Sequence, residues 1–222
     1  PKLMLQIVKV GFSPFIIIAL DNVLVISQNM VIQRLGGPGQ GDTILTCAAI
    51  VQSFMLIITM PLGGITSGTQ TILGYNYGAK NADRVKKTFR ILITVSLSYS
   101  IIFWALIQLF PGVFAGIFSS DKELVTFTAG ALRIYCGMLF MFGIQIACQM
   151  TFVAIGNAVC SVIVAVVRKF VLLLPLIYIV PHFVSNKTNG VYMAEPVADF
   201  IAVSFTVIIF LVQFKKALSK LK

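Results

Sequence analysis

Six apolar segments, each long enough to cross a lipid bilayer, dominate the sequence. A helix needs about 20 residues to cross a hydrocarbon layer roughly 30 Å thick. Stretches rich in glycine or polar residues separate the segments: LGGPGQGD at 35–42, a basic stretch at 74–90, FSSDKE at 118–123, IGNAV at 155–159 and HFVSNKTNG at 182–190. The spans are therefore expected at 12–33, 44–65, 89–110, 125–153, 164–180 and 196–213. The pattern predicts an all-α membrane protein, a bundle of six transmembrane helices.

The composition agrees with a membrane location. The chain is 58% hydrophobic and only 11% charged, with a mean hydropathy of +0.97. A soluble domain has nowhere to bury so much apolar surface. The net charge of +10 does not indicate a nucleic-acid partner, because the charges form short clusters between long apolar runs and no single basic face. The four cysteines stand in apolar context without metal-type spacing, so we expect buried free thiols.

The distribution of basic residues predicts the orientation. If the N-terminus, the second and fourth loops and the C-terminus share one side, that side holds 13 of the 17 Lys and Arg residues, including Arg168 and Lys169. The other side keeps Arg34, Lys122, Arg133 and Lys187. Both termini are therefore expected in the cytoplasm. The chain begins with Pro1 and shows no signal peptide pattern, which suggests a fragment or a processed chain.

Asp21 is the most informative single residue. It lies about 14 Å into the first span, close to the midplane, where a carboxylate is costly unless it is protonated, hydrated or paired. Asn22, Ser27, Gln28 and Asn29 follow on the same helix, and this polar side should face water or protein. We interpret Asp21 as a group that exchanges a proton for a cation. The alternative is a structural carboxyl bonded to a neighbouring helix.

Two further spans carry polar and methionine side chains at helical spacing. The fourth span has Met138, Phe142, Gln145 and Gln149, and the second span has Gln52, Met55 and Thr59. Amides deep in a membrane helix need partners, and adaptable methionines beside them suit varied apolar cations. These residues are candidates for a substrate cavity, with ordinary core packing as the alternative.

Prolines and the remaining polar residues add local expectations. Pro61 and Pro175 should bend the second and fifth spans, whereas Pro196 stands near a helix start, where proline is tolerated. Glu195 and Asp199 are expected to flank the start of the sixth span near water. His182 is expected at the outer boundary, and Asn186 opens a glycosylation sequon in an outer loop.

No enzyme signature is found in the sequence. It contains no nucleophile and base pairing, no phosphate-binding P-loop and no metal-type cluster. We therefore expect a protein that is not an enzyme, needs no cofactor and does not use ATP.

The stretch 61–90, PLGGITSGTQTILGYNYGAKNADRVKKTFR, is expected to turn the chain round on one side of the membrane. The glycine pairs 64/68 and 74/78 place small residues on one helical face, which lets a neighbouring backbone approach. The residues from Gly74 to Gly78 make a poor helix interior and predict a loop. Asn81 is the expected N-cap of the next helix, with Asp83 in its first turn.

The sequence GTQTILGYNYGAKNADRVKK within this stretch resembles the segment G-x-Q-P-I-x-G-Y-N-Y-G-A-(4 residues)-R-V-K-K of the multidrug and toxic compound extrusion (MATE) transporters. Thr71 stands where many members have proline. GFSPFIIIALD at 11–21, RKFVLLLPLIYIVP at 168–181 and GVYMAEPVADF at 190–200 are similar to further segments of the family's C-terminal half. Among the positions that match the loop motif, those singled out as motif residues are Gly68, Gln70, Gly74, Tyr75, Gly78 and Arg84.

The resemblance implies that the chain is the C-terminal lobe of a twelve-helix transporter whose partner is the N-terminal lobe. Family members export organic cations and other drugs in exchange for Na⁺ or H⁺. Sodium-coupled members place an acid on the first helix of this lobe, where Asp21 falls, and another on the fourth helix, where this chain has Gln145 and Gln149. A coupling site at Asp21, Asn22 and the two glutamines, and a cavity with Gln28, Asn29, Gln52, Met55, Met138 and Phe142, are what the resemblance and the polar pattern imply.

Two other functions stay open. A half-size transporter could dimerise to rebuild the twelve-helix cavity, and six similar helices upstream in the gene would argue against it. A flippase for lipid-linked substrates should line its cavity with several basic residues, and here only Arg34 and Arg133 lie in or near helices on the outer side. A purely structural membrane subunit is weaker, because it would not need Asp21 at the midplane.

Overall fold

The computed structural model describes residues 2–184 and 187–221, with the backbone alone described at 2, 3, 5–14, 16, 17 and 36–42. Nearly all of this part is helical, and no β-strand occurs in it. The elements in chain order are α1 (Lys2–Gly78), α2 (Ala82–Leu109), α3 (Pro111–Phe118), α4 (Lys122–Tyr135), α5 (Leu139–Ala154), α6 (Ala158–Val166), a π-helical segment (Val167–Leu173), α7 (Leu174–Ile179), a 3₁₀ turn (Val180–His182) and α8 (Lys187–Ser219).

Several of these helices are long and apolar enough to cross a membrane. Within the described residues they are Thr43–Gly78, Ala82–Leu109, Ala158–His182 and Lys187–Ser219. The pair Lys122–Tyr135 and Leu139–Ala154 passes the same test together. Five of the six predicted spans therefore correspond to an apolar helix or bent helix pair. The first predicted span, 12–33, is helical, but its side chains lie partly outside the described residues. The chain is an all-α, multi-pass membrane protein.

Helix α1 contains the first two predicted spans and bends back on itself. A Cβ built on Gly74 would lie 3.3 Å from the Ala154 carbonyl oxygen, while Asp21 of the same helix pairs with Lys169. Gly74 and Asp21 would be about 80 Å apart on a straight helix, whereas the mostly helical stretch from Ala154 to Lys169 spans only about 30 Å. The predicted break at 35–42 is thus helical, and its glycines and proline favour such a bend.

The connection between α1 and α2 is shorter than the sequence suggested. The loop predicted from Gly74 onward is wrong, because the helix runs on to Gly78 and α2 starts at Ala82. Lys80 makes the turn with φ 55°, a left-handed conformation. The predicted cap is confirmed: the Asn81 side chain accepts a hydrogen bond from the Arg84 backbone N–H, and Asp83 lies in the first turn.

The fourth predicted span, 125–153, is broken into α4 and α5 by a 51° bend at 136–138. This break was not predicted from the sequence. Bending frees backbone groups, and two side chains of α2 bind carbonyls there: Trp104 Nε1 donates to the Gly137 oxygen (2.9 Å) and Gln108 Nε2 donates to the Arg133 oxygen (3.0 Å). Met138 lies in the bend and is not part of the α5 face.

The fifth span begins earlier than predicted, at Ala158, within the predicted break at 155–159. Gly156 has φ 75°, and Asn157 caps α6 by accepting from the Cys160 N–H. The chain then widens into the π-helical segment directly before Pro175. Proline lacks an N–H and its ring crowds the preceding turn. The wider π-helical turn is therefore the distortion that Pro175 was expected to cause in the fifth span.

Helix α8 also starts earlier than predicted, at Lys187 instead of 196. Pro196 is therefore inside the helix, not near its start, and the Tyr192 carbonyl one turn earlier loses its usual N–H donor. The sequon residue Asn186 lies outside the described residues. The longer helix changes the setting of Glu195 and Asp199, because both now lie more than a turn inside α8.

Close helix contacts fall at glycines other than those predicted. A Cβ on Gly143 of α5 would collide with the Ser96 carbonyl of α2, its carbon being 2.6 Å away, and one on Gly190 of α8 would lie 2.6 Å from Pro181 Cα. Of the four predicted glycines, only Gly74 meets a backbone, since Gly64, Gly68 and Gly78 have nothing within 4 Å. The four cysteines are free as expected; three are buried and Cys160 is half-buried.

Candidate functional site

The π-helical segment carries two adjacent basic residues, Arg168 and Lys169, into the interior of the bundle. Their side chains are only 13% and 9% exposed. Both had been counted with the fourth loop on the cytoplasmic side, and this is corrected here: they lie within the fifth span, about three turns from each of its ends. Charges at this depth are retained where they have partners or line a pathway. Their partners are three carboxylates on two other helices.

Arg168 binds two carboxylates of α8. Its Nε donates to Asp199 Oδ1 at 2.7 Å, and its Nη2 donates to Glu195 Oε1 at 2.9 Å. Glu195 and Asp199 are four residues apart, so they share one face of α8 and meet the planar guanidinium together. Their side chains are 12% and 10% exposed. The expectation that both acids flank a helix start near water is therefore wrong.

Phe142 of α5 completes the surroundings of Arg168. The guanidinium carbon stands 5.4 Å from the centre of the Phe142 ring, a cation–π distance. Phe142 was predicted to line the substrate cavity, and in the structure it is half-buried at the edge of the core. The contact links α5 to the charged residues of the fifth and sixth spans.

Lys169 forms an ion pair with Asp21 of α1. The two partners differ in access: the Lys169 side chain is 9% exposed, whereas the Asp21 carboxylate is 55% exposed. Asp21 therefore faces away from the core of this chain while its counter-ion reaches out from inside. A carboxylate in this setting can accept another cation or a proton on its open side.

The two ion-pair groups form one electrostatic cluster. The Glu195 carboxylate attracts the Lys169 ammonium as well as the Arg168 guanidinium, and the Asp21 carboxylate repels Glu195. Three carboxylates and two basic groups give the cluster a formal charge of −1 when all are ionised. One proton or one monovalent cation would make the cluster neutral, which is less costly in a low-dielectric interior.

The other predicted coupling residues do not join this cluster. Asn22 is exposed and its amide donates to the Ile18 carbonyl of its own helix at 2.9 Å. Gln145 is 2% exposed, and neither its Oε1 nor its Nε2 has a hydrogen-bond partner among the described residues. Gln149 is half-buried. Their predicted roles stay predictions, and the buried, unpaired amide of Gln145 is the notable one among them.

The predicted cavity residues are spread over several surroundings. Gln28 is buried and Asn29 half-buried on α1, while Gln52 is half-buried with its Nε2 unpaired among the described residues. Met55 packs on the core and lies 3.8 Å from the Cys136 sulfur. Two pockets of about 130 Å³ each lie elsewhere, one beside Arg34 and Tyr178 and one beside Thr43 and Phe127. Both are too small for a drug-sized ligand.

The loop-motif residues lie at the junction of α1 and α2. Gly74 packs against α5, Tyr75 is 76% exposed, and the backbone N–H of Arg84 is bound by the Asn81 cap. Gly68 and Gln70 lie within α1, and Gly78 is its last residue. The motif thus shapes a tight connection between two spans and contributes no described side chain to the charged cluster.

Sequence reasoning missed Arg168, Lys169, Glu195 and Asp199 as site residues. The signal was present: Arg168 and Lys169 fall inside the predicted span 164–180, and the two acids recur at a spacing of four. Charges within a span indicate a function by themselves. Counting the basic pair with the fourth loop on the cytoplasmic side hid its match with the acidic pair.

The fold and the cluster define a class of protein: a multi-pass helical bundle with ionisable groups inside its spans, typical of secondary transporters. The model of the MatE family matches residues 18–179, so the chain belongs to the MatE family. No protein of curated function matches it in sequence.

Solved transporter structures share its fold. An inward-facing multidrug resistance MATE family transporter of the MOP superfamily superposes with a TM-score of 0.82 at 19% identity, over 99% of this chain and 50% of that one. The outward-facing conformation of such a transporter gives 0.84 at 20% identity, over 99% and 48%. A MOP superfamily transporter from Pyrococcus furiosus, described as having a binding pocket of reverse polarity, gives 0.83 at 20% identity, over 100% and 48%. The chain spans about half the length of these structures.

Proposed function

We propose that this chain is the C-terminal lobe of a secondary active antiporter that exports drugs or toxic organic cations in exchange for Na⁺ or H⁺. Family membership supports transport, and the length ratio supports a lobe that works with an N-terminal partner lobe. The observation that carries the coupling proposal is the ion pair between the buried Lys169 and the half-exposed Asp21. No resident cofactor is needed in this scheme, because the coupling ion supplies the free energy.

Competition at Asp21 is the proposed coupling step. A proton or Na⁺ arriving from the open side of Asp21 displaces the Lys169 ammonium as its partner. Lys169 then turns toward the remaining carboxylates of the cluster, of which Glu195 already attracts its ammonium. The bound ion neutralises the cluster's charge of −1, and release of the ion restores that negative charge. The ion's differential affinity for the two arrangements biases the lobe between outward-facing and inward-facing states.

Drug binding is placed in the cavity between the two lobes. Gln28, Asn29, Gln52, Met55, Met138 and Phe142 remain the proposed lining residues of this lobe, and Gln145 and Gln149 remain proposed parts of the coupling site. Phe142 supports a link between the two, because its ring touches Arg168 of the charged cluster. Closure of the cavity by the partner lobe agrees with the small size of the pockets within this chain.

A cell-membrane location with both termini in the cytoplasm is part of the proposal. The corrected placement of Arg168 and Lys169 removes them from the charge bias, and 11 of the other 15 Lys and Arg residues remain on the proposed cytoplasmic side. This asymmetry still supports the orientation.

A half-size transporter acting as a dimer is the second candidate. It would use the same face and the same Asp21, since the exposed side of the first span would then meet a second copy. A flippase is disfavoured, because the two basic groups that are largely buried among the described spans, Arg168 and Lys169, are both paired with carboxylates.

The test is efflux of a fluorescent cationic dye from cells that carry the full-length protein, driven by an imposed sodium or proton gradient. We expect Asp21→Asn to abolish efflux driven by one of the two gradients, and that gradient identifies the coupling ion. Unchanged efflux under both gradients would overturn the role of Asp21 and move the coupling chemistry to the other lobe.

The matched control is Asp121→Asn. Asp121 is an exposed aspartate that caps α4 outside the charged cluster, so its substitution alters one surface carboxylate without changing the pair. We expect this variant to export dye under both gradients. Equal surface expression of the three proteins must be confirmed by immunoblot before rates are compared.

A further inference from the structure

The start of α2 and the end of α8 are joined by a cluster of three aromatic rings. The Phe89 ring centre lies 4.6 Å from that of Phe210 and 5.1 Å from that of Phe214, and the last two are 4.9 Å apart. Arg90 follows Phe89 directly in sequence, and Lys215 follows Phe214. The basic ends of two helices far apart in sequence are therefore held at the same end of the bundle.

Six of the exposed basic side chains around this junction form what we call the basic collar: Arg84, Lys87, Arg90, Lys215, Lys216 and Lys220. The sequence offers little to neutralise them. Asp83 is the only acid between residues 79 and 92, none occurs between 208 and 222, and the Asp83 carboxylate lies 3.7 Å from Lys86, outside the collar. The collar thus has a dense positive charge that faces outward.

The collar lies where lipid headgroups are expected. On α2 the face of Arg84 and Lys87 continues as Ile91, Val95 and Ile102, which are 55%, 42% and 56% exposed. On α8 the residues before the cations are Ile208, Leu211 and Val212, all more than 60% exposed. Exposed apolar stripes of membrane helices contact acyl chains, so the cations within about two turns beyond them stand at the depth of the phosphates.

We propose that the basic collar is a binding site for acidic phospholipid headgroups, such as that of phosphatidylglycerol. Several Lys and Arg residues directly beside a membrane helix attract anionic lipids. Two features favour lipid over a soluble anion: the cations surround the lipid-facing sides of two helices, and each set is continuous with an acyl-chain surface. The bound lipids hold the start of α2 and the end of α8 together from outside, as the aromatic cluster does from within.

Thermal unfolding of the full-length protein in a neutral detergent tests the proposal. Phosphatidylglycerol and phosphatidylcholine with the same acyl chains are titrated in separate arms, and a third arm contains inorganic phosphate. We expect only phosphatidylglycerol to raise the unfolding midpoint, and 0.5 M NaCl to reduce that shift at least twofold, because exposed charges are screened. Equal shifts with both lipids would overturn the proposal, as would the full shift with phosphate alone.

Variants assign the shift to the collar. Replacing the six collar residues by Gln should reduce the phosphatidylglycerol shift at least threefold, whereas replacing Lys122, Arg133 and Lys187 at the other end of the bundle should leave it within one fifth of the native value. The proposal is wrong if the collar variant keeps the native shift or the control variant loses it.

Two smaller variants serve if the sixfold substitution impairs folding. One carries Gln at the three α2 positions, Arg84, Lys87 and Arg90, and the other at the three α8 positions. Each should lose about half of the shift, because the collar is built from both helices. Substituting Lys for the two arginines keeps the charge and should retain the shift in the unfolding midpoint. Loss of the shift in this variant would mean that the arginines act through side-chain packing, and it would contradict attraction of the lipid by charge.

Discussion

Arg168 and Lys169 are neighbours in sequence, yet their ion pairs differ in a way that bears on function. Arg168 meets two carboxylates that are 12% and 10% exposed, and its Nε and Nη2 bonds to them are 2.7 and 2.9 Å long. Lys169 forms an ion pair with a carboxylate that is 55% exposed. We call Arg168, Glu195 and Asp199 the closed group, because all three side chains are largely buried. We call Lys169 and Asp21 the open pair, because Asp21 is exposed on one side.

The difference follows from side-chain chemistry and helix position. A guanidinium presents several donors in a fixed plane, so it can hold Glu195 and Asp199 on one face of α8 at once. An ammonium is a compact point charge that exchanges partners without a fixed geometry. The closed group is therefore suited to docking α8, and the open pair to exchanging a cation. Four substitutions test this contrast, from the largest expected effect to the smallest.

Arg168→Met is expected to give the largest loss of stability. It leaves Glu195 and Asp199 buried without their counter-ion, and breaking a buried pair in this way costs about 3–5 kcal/mol of unfolding free energy. The measurement is unfolding in an SDS titration. The triple variant Arg168→Met, Glu195→Gln, Asp199→Asn removes the charge imbalance and should recover part of the loss. If Arg168→Met alone were as stable as the native protein, the closed group would not dock α8.

Gly190→Ala tests the packing that accompanies the closed group. A Cβ there would lie 2.6 Å from Pro181 Cα, and backbone must shift to admit it, at a cost of about 1–3 kcal/mol. Gly130→Ala is the matched control, because nothing lies within 4 Å of a Cβ at that helical position. The control should be neutral or slightly more stable, since alanine favours helices. Equal stability of the two variants would mean that α8 docks without this contact.

The helical spans were predictable because apolar length alone indicates a membrane helix. The structure departs most from these expectations where one local preference opposed a stronger constraint. Gly74 and Asn76 favour a turn by themselves, but Gly74 packs closely against the Ala154 carbonyl and the Asn76 amide donates to the Ile72 carbonyl of its own helix, and the helix continues to Gly78. The bend at 136–138 could not be anticipated, because its freed carbonyls are bound by Trp104 and Gln108 of another helix.

The candidate site was predictable only in part. The depth of Asp21 singled it out from position alone, and the structure gives it a buried counter-ion. Its partner Lys169 was hidden, because adjacent basic residues resemble a cytoplasmic loop. Glu195 and Asp199 were assigned to a helix start, since Pro196 between them imitates one. Pairings between distant spans depend on packing, which one sequence does not display.

Asp21→Asn should cost less stability than Arg168→Met, about 1–2 kcal/mol in the same SDS titration. The amide keeps an oxygen that accepts from Lys169, but the ammonium loses its charged partner while still 9% exposed. The coupling proposal requires that efflux fail in a protein that still folds. A loss of 3 kcal/mol or more would make Asp21 a structural partner like Glu195 and remove the contrast between the two groups.

Lys169→Met is expected to have the smallest effect on stability, below about 1 kcal/mol, because Met fills the space of the lysine stem and water can reach the half-exposed carboxylate of Asp21. Removing the cation would thus be the most costly change in the closed group and the least costly in the open pair.

The same Lys169→Met variant should strengthen ion binding at Asp21, since the competing ammonium is gone. We expect the concentration of coupling ion that half-saturates dye efflux to fall about tenfold, with Lys187→Met as the control for loss of one positive charge. A half-saturating concentration that stays at the native value would mean that Lys169 does not compete for Asp21, and the open pair would then be structural.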